Sequence, residues 1–205
     1  MNGFTYEKEN NNSALETYEW DNVWWEHTED STANRVIYIG DSISCATRHI
    51  ATELSNHKIL FDGFGTSKAL DNPYFKDTLS IFMKQEQKID AILFNNGLHG
   101  WHLSIEEYEQ EYGEMIELIK SISHAPVFIV LTTNLPNDEE RNEIVIKRNE
   151  VAKKCAEKFG LNIIDLYAVS VKHSNLHTED GVHFVNDGYN KLAACILETL
   201  NLSNS

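Results

Sequence analysis

The sequence predicts an α/β protein built as a three-layer α/β/α sandwich around a parallel sheet of five strands. Two observations carry this. From Arg35 onward, five short apolar runs alternate strictly with longer stretches in which apolar residues recur at i, i+3, i+4 and i+7, and such alternation places helices on both faces of a parallel sheet. The chain can also bury such a sheet: 205 residues, 41% of them hydrophobic, make a core that needs neither disulfide nor structural metal.

Taken in order, the apolar runs place strands near Val36–Ile39, Ile59–Phe61, Ala91–Phe94, Val127–Leu131 and Asn162–Ile164. Between and after them, the helical period predicts helices near Ile43–Ser55, Tyr74–Glu86, Ile105–Ser121, Glu139–Phe159 and Asp187–Leu200. Local signals fix several ends. Ser104 with Glu107 makes a capping box, Pro73 suits a helix start, and Gly160 directly after Phe159 stops a helix whose stripe is Ile144, Val145, Arg148, Val151, Ala152, Cys155 and Phe159. Arg148 and Asn149, lying on this helix, suit a structural salt bridge better than catalysis. Ahead of the alternation, residues 1–13 read as a disordered polar N-terminus. Residues 14–205 then form one domain, with 14–34 as an extension packed on it, since Leu15, Tyr18, Trp20, Val23, Trp24 and Trp25 make it too aromatic for a free tail.

A net charge of −15, with no cluster of Lys and Arg, speaks against nucleic acid and against an anionic membrane surface. No apolar run approaches the roughly 20 residues that span a bilayer. The polar, acidic first residues lack the basic start and apolar stretch of a signal peptide. Cys45, Cys155 and Cys195 are an odd, scattered set without CxxC, which suits free thiols in a reducing compartment. The expected location is cytoplasmic.

In open parallel sheets, ligands bind beyond the carboxyl ends of the strands. There the first segment reads Ile39-Gly40-Asp41-Ser42, a serine at a strand-to-helix turn whose N–H belongs to the unsatisfied first turn of a helix and can stabilise an oxyanion. Asp and Ser are also ordinary helix caps. The last segment supplies a match: Asp180-Gly181-Val182-His183 before the final helix offers a general base and an acid to orient it.

These two segments resemble the first and last motifs of the SGNH (GDSL-type) hydrolases, and their order and spacing fit that family from Arg35 to Leu200. The resemblance implies a flavodoxin-like fold and ester hydrolysis through an acyl-serine without a cofactor. It makes Ser42 the nucleophile, His183 the base and Asp180 its orienting acid. It further implies an oxyanion hole formed by the Ser42 N–H, a glycine N–H after the second strand and an asparagine side chain after the third. For the glycine, Gly65 is favoured and Gly63 comes second.

The third motif departs from the family's Gly-x-Asn-Asp. Here the chain reads Asn95-Asn96-Gly97-Leu98-His99-Gly100-Trp101-His102, with His99 at the asparagine position and Gly100 at the aspartate. Either His99 donates from a neutral imidazole, or Asn96, and less readily Asn95, donates while His99 contacts substrate. Trp101 and His102 border the site by proximity. Thr133, with Thr132 and Asn134, follows the fourth strand and can line the pocket or cap backbone groups. Trp20, Trp24 and Trp25 either wall the site or simply pack. A metal site of His173, His177, His183 and Asp180 matches no strong metal signature, and no GxxxxGK[ST] or GxGxxG loop is present. The expected activity is a serine esterase acting on a small acyl ester, such as an acetyl group on a carbohydrate. A non-catalytic carbohydrate-binding module and a metal-dependent hydrolase stand as alternatives.

Overall fold

The run Asn34–Gly40 is the central strand β2 of the computed structural model, which describes residues 14–16, 18–86 and 88–202. The expectation for residues 1–13 lies outside the described residues. Strand β1 (Asp21–Trp24) precedes β2, and β3 (Ile59–Thr66), β4 (Ala91–Phe94), β5 (Val127–Val130) and β6 (Asn162–Ile164) follow it. Helices α1 (Ser42–Leu54), α2 (Phe75–Gln85), α3 (Ile105–Ile122) and α4 (Glu139–Phe159) alternate with them, and α5 (Leu166–Lys172) and α6 (Asn186–Leu202) close the chain.

The sheet order is β1-β3-β2-β4-β5-β6, with β2 to β6 parallel in the 2-1-3-4-5 order of flavodoxin-like sheets. Successive side chains of each strand enter opposite layers, and both layers are apolar. Ile37, Ile39, Ile92, Phe94 and Ile129 meet α2, α3 and α4, whereas Val36, Tyr38, Leu93, Phe128 and Val130 meet α1 and α6. This double burial is why the strands read as continuous apolar runs. The Ser104/Glu107 capping box forms, and Gly160 ends α4 in the left-handed conformation.

The expected sheet of five parallel strands is corrected to six strands, one of them antiparallel. The additional strand, β1, comes from the extension and pairs Asp21 to Trp24 against Thr66 to Gly63. All four of its residues are exposed, so no alternation marks it in the sequence. Its partner is the outer edge of β3, whose backbone groups would otherwise be unpaired. The expectation that the second strand ends at Phe61 is corrected too, because β3 runs on to Thr66. Buried Asp62 is tolerated there because Arg35 donates to it at 2.8 and 3.0 Å and the Glu26 N–H at 2.7 Å. The segment after β6, where no helix is expected before Asp187, contains the short helix α5, capped by Asp165 accepting from the Ala168 N–H at 2.8 Å.

Candidate active site

Ser42 is the first residue of α1, directly beyond the carboxyl end of β2. Asp41 caps the helix by accepting from the Ile43 N–H at 2.9 Å, and its carbonyl accepts from the Ser44 hydroxyl at 2.7 Å. The turn is therefore fixed on both sides of the serine, whose own N–H opens the helix at the positive end of its dipole.

His183 reaches this serine across the sheet: its Nε2 lies 2.9 Å from Ser42 Oγ, and its Nδ1 lies 2.7 Å from Asp180 Oδ2. Asp180 Oδ1 accepts from the Val182 N–H at 2.8 Å, the His183 N–H at 3.0 Å and the Thr178 hydroxyl at 2.8 Å. Burial of this carboxyl favours its neutral form. The bonds from His183, Val182 and Thr178 outweigh that and hold its pKa well below the usual carboxylate range. Gly181 turns the chain with φ of +71°, and a Cβ there would lie 2.7 Å from Asn137 Cβ. The turn is closed by the Thr178 N–H on His183 O at 2.8 Å. Serine, imidazole and carboxylate thus form one chain of hydrogen bonds, with both partners of the imidazole already in place.

Around it, the residues expected to form the oxyanion hole fare differently. In β2 the carbonyl of Ile39 faces β4, since it accepts from the Asn95 N–H at 3.0 Å, and the Asn34 N–H faces β3, donating to Lys58 O at 3.1 Å. Alternation then turns the even residues of β3 toward β2 and the odd ones toward β1, as the Ser67 N–H on Trp20 O at 3.1 Å illustrates. Gly65, paired with Asn22, therefore gives its N–H to the Asn22 carbonyl. The register thus directs the Gly65 N–H, expected to face an oxyanion, toward the added strand. The lack of a side chain at Gly65 makes room for Cys45 Sγ, and that at Gly63 makes room for the buried Arg48 guanidinium.

Asn96 is buried, and its Nδ2 donates to Lys68 O at 3.0 Å, leaving one amide hydrogen uncommitted to that bond. His99 is also buried, edge-on to Trp20 with ring centroids 6.3 Å apart, and its Nδ1 lies 3.5 Å from Glu16 Oε1. Asn95 joins two strand ends, donating to Val130 O at 2.8 Å and Thr132 Oγ1 at 2.9 Å. His102 pairs with Asp71 at 2.8 Å. Thr133 is buried beside Tyr38, Asp41 and Ile43, next to the turn that carries Ser42. Trp101 is half-buried with Arg141 at 5.1 Å and Arg148 at 4.9 Å from its ring centroid. It also lines a slot with Leu98, Leu135 and Val182, of about 10 Å³, that adjoins Asp180. Trp25 packs on Phe82 and Trp24 on His49, away from the triad. His177 contacts the carbonyls of Ser174 and Asn134, and among the described residues no three His, Cys, Asp or Glu are grouped to hold a metal ion.

The sequence matches no protein-family model and no curated protein. The fold does match solved structures. A member of the lipolytic protein G-D-S-L family from Veillonella parvula superposes with a TM-score of 0.67 at 19% identity, over 82% of this chain and 99% of that one. An acetyl xylan esterase gives 0.62 at 16% identity over 81% and 99%. The C-terminal catalytic domain of peptidoglycan O-acetyltransferase A from Streptococcus pneumoniae, carrying a methylsulfonyl adduct, gives 0.63 at 17% over 85% and 96%. This chain has the SGNH-hydrolase fold.

Two residues that contact the third-motif loop lie outside the motifs that carry the resemblance. Arg148 carries no side-chain exposure to speak of, and in place of the expected salt bridge it donates to the carbonyls of the third-motif loop: Gly97 at 3.1 Å, His99 at 2.7 Å and Gly100 at 2.6 Å. Its position on the apolar stripe of α4 is the signal that it is buried. Glu16 contacts the same loop from the N-terminal extension, and nothing in its sequence neighbourhood announces it.

Proposed function

We propose that the protein is a serine esterase that removes a small acyl group, acetyl first among them, from a carbohydrate alcohol through an acyl-serine intermediate. The observation that carries this is the hydrogen-bonded chain Ser42–His183–Asp180. His183 Nε2 takes the Ser42 proton as Oγ bonds to the ester carbonyl carbon. Asp180 holds Nδ1–H and stabilises the imidazolium. The tetrahedral oxyanion is met by the Ser42 N–H and by a side chain of the third-motif loop, Asn96 or His99. His183 returns the proton to the leaving alcohol, then activates a water that releases the acid and restores Ser42.

Support for an acetylated carbohydrate comes from the neighbours named as an acetyl xylan esterase and a peptidoglycan O-acetyltransferase. A cytoplasmic location, also proposed, is in keeping with Cys45, Cys155 and Cys195 as free thiols. No helix among the described residues is long and apolar enough to cross a membrane.

The deciding experiment is labelling with a fluorophosphonate probe and turnover of p-nitrophenyl esters from acetate upward. Labelling at Ser42, its loss in Ser42→Ala, and a preference for acetate are expected. A folded protein that neither labels nor turns over any ester would sink the esterase reading, and saturable sugar binding by that protein would mark a binding module instead.

A further inference from the structure

We propose that Glu16 is a positioning residue of this site: the N-terminal extension carries it onto the third-motif loop, where it tethers Gly100 and orients the imidazole of His99. The proposal rests on the serine-esterase reading for its kinetic consequence, though its contacts stand without it.

The Gly100 N–H donates to Glu16 Oε1 at 3.2 Å across a separation of 84 residues, and the same oxygen lies 3.5 Å from His99 Nδ1. The Glu16 side chain is 8% exposed and that of His99 2%. A carboxylate so little hydrated persists only where donors face it, and here the Gly100 N–H does, with the His99 imidazole beside it.

Glu16 is not presented by a loose tail. Its N–H donates to Glu19 Oε1 at 2.8 Å, and Asn72 Nδ2 reaches both Glu19 Oε1 at 3.2 Å and Ala14 O at 3.3 Å. Ser67 Oγ donates to Tyr18 O at 3.2 Å and accepts from the Trp20 N–H at 2.9 Å. The extension is thereby fastened to the chain that follows β3, with Trp20 against the His99 ring.

The loop is gripped from two sides with opposite charge. Arg148 donates to its carbonyls, and Glu16 accepts from its Gly100 amide. Burial lowers the Arg148 pKa, while Tyr108 and Glu16 oppose that shift, so the two grips also attract each other through the loop. A carboxylate facing Nδ1 favours the N–H on that nitrogen and fixes the plane of the ring. The extension that takes the Gly65 N–H out of the site is thus the element that sets His99 within it.

The test compares the full-length parent with Glu16→Ala and Glu16→Gln. Glu16→Ala is expected to lower kcat for p-nitrophenyl acetate about tenfold or more while KM moves less than about threefold, because a loop displaced by an ångström costs turnover more than binding. Glu16→Gln keeps an acceptor for Gly100 and recovers part of that loss. In NMR spectra, the His99 ring nitrogens shift in both variants, whereas the Gly100 amide exchanges faster only in Glu16→Ala. The proposal is overturned by a Glu16→Ala kcat within about twofold of the parent, or by His99 and Gly100 signals that do not respond. If Glu16→Ala fails to fold, an unmoved His99 signal in Glu16→Gln overturns it equally. A parent that neither labels nor turns over defeats the esterase reading instead, and the two NMR signals then decide whether Glu16 holds the loop.

Discussion

Replacing Arg148 by lysine asks how much the third-motif loop depends on a buried guanidinium. The two terminal nitrogens of Arg148 serve different carbonyls: Nη1 reaches Gly97 and His99, and Nη2 reaches Gly100. An ammonium delivers its donors from one point and cannot reproduce that fork. One or two of the three carbonyls are then left buried without a donor, at about 1–3 kcal/mol each. The expected loss is about 3 kcal/mol, a large part of the roughly 5–15 kcal/mol available to a domain. For a chain of this length that corresponds to a fall in Tm of about 6–12 °C. Urea unfolding followed by tryptophan fluorescence measures the first quantity and a thermal melt the second. Because the released loop carries His99, kcat for p-nitrophenyl acetate should fall by roughly 10- to 100-fold in the folded variant at 20 °C. A variant with unchanged midpoint and unchanged kcat would refute the view that this arginine shapes the loop.

Glu86 lies at the other end of the sheet, and burial, helped by Asp62 and opposed by Arg35 and Trp25, raises its pKa to about 7. A carboxyl whose pKa is raised on folding binds its proton more tightly when folded. Stability is therefore lost as pH rises from the unfolded value of 4.5 through 7, by up to about 3 kcal/mol. Glu86→Gln should match the parent near pH 4 and exceed it by about 1–3 kcal/mol at pH 8 in urea melts; a gap independent of pH contradicts this. For the oxyanion, Asn96→Ala and His99→Ala separate the two candidate donors. Loss of the true donor should lower kcat by roughly 100- to 1000-fold, and two changes below about tenfold would leave the loop without that role.

The triad was legible because its parts are set by local chemistry. Asp180 reaches the Val182 and His183 N–H groups within three residues, and Asp41 caps the helix two residues on. Such bonds are written in the order of the chain, and the spacing of the two motifs shows that the alternation brings them to the same end of the sheet. What the sequence did not disclose depends on distant partners. Asp62 looks like the end of a strand until Arg35 is found opposite it, and β1 has no pattern because its stability comes from the open edge of β3. Arg148 was visible as a cation on an apolar stripe, but its partners are backbone carbonyls, which no residue type announces.

The two departures of this chain from the motifs it resembles have a common physical origin. With β1 in place, the Gly65 N–H is engaged with Asn22, so a transition state at Ser42 loses one backbone donor. One such donor accounts for roughly 100- to 1000-fold in rate in acyl-transfer sites. On the esterase reading a side chain can take its place, and the side chain at the asparagine position is an imidazole with a carboxylate 3.5 Å from its Nδ1. Glu16 and β1 belong to the same extension. On this account the segment that closes the sheet edge and the histidine in the third motif are two halves of one adjustment. A variant lacking Glu16 should then depend more heavily on Asn96 than the parent does.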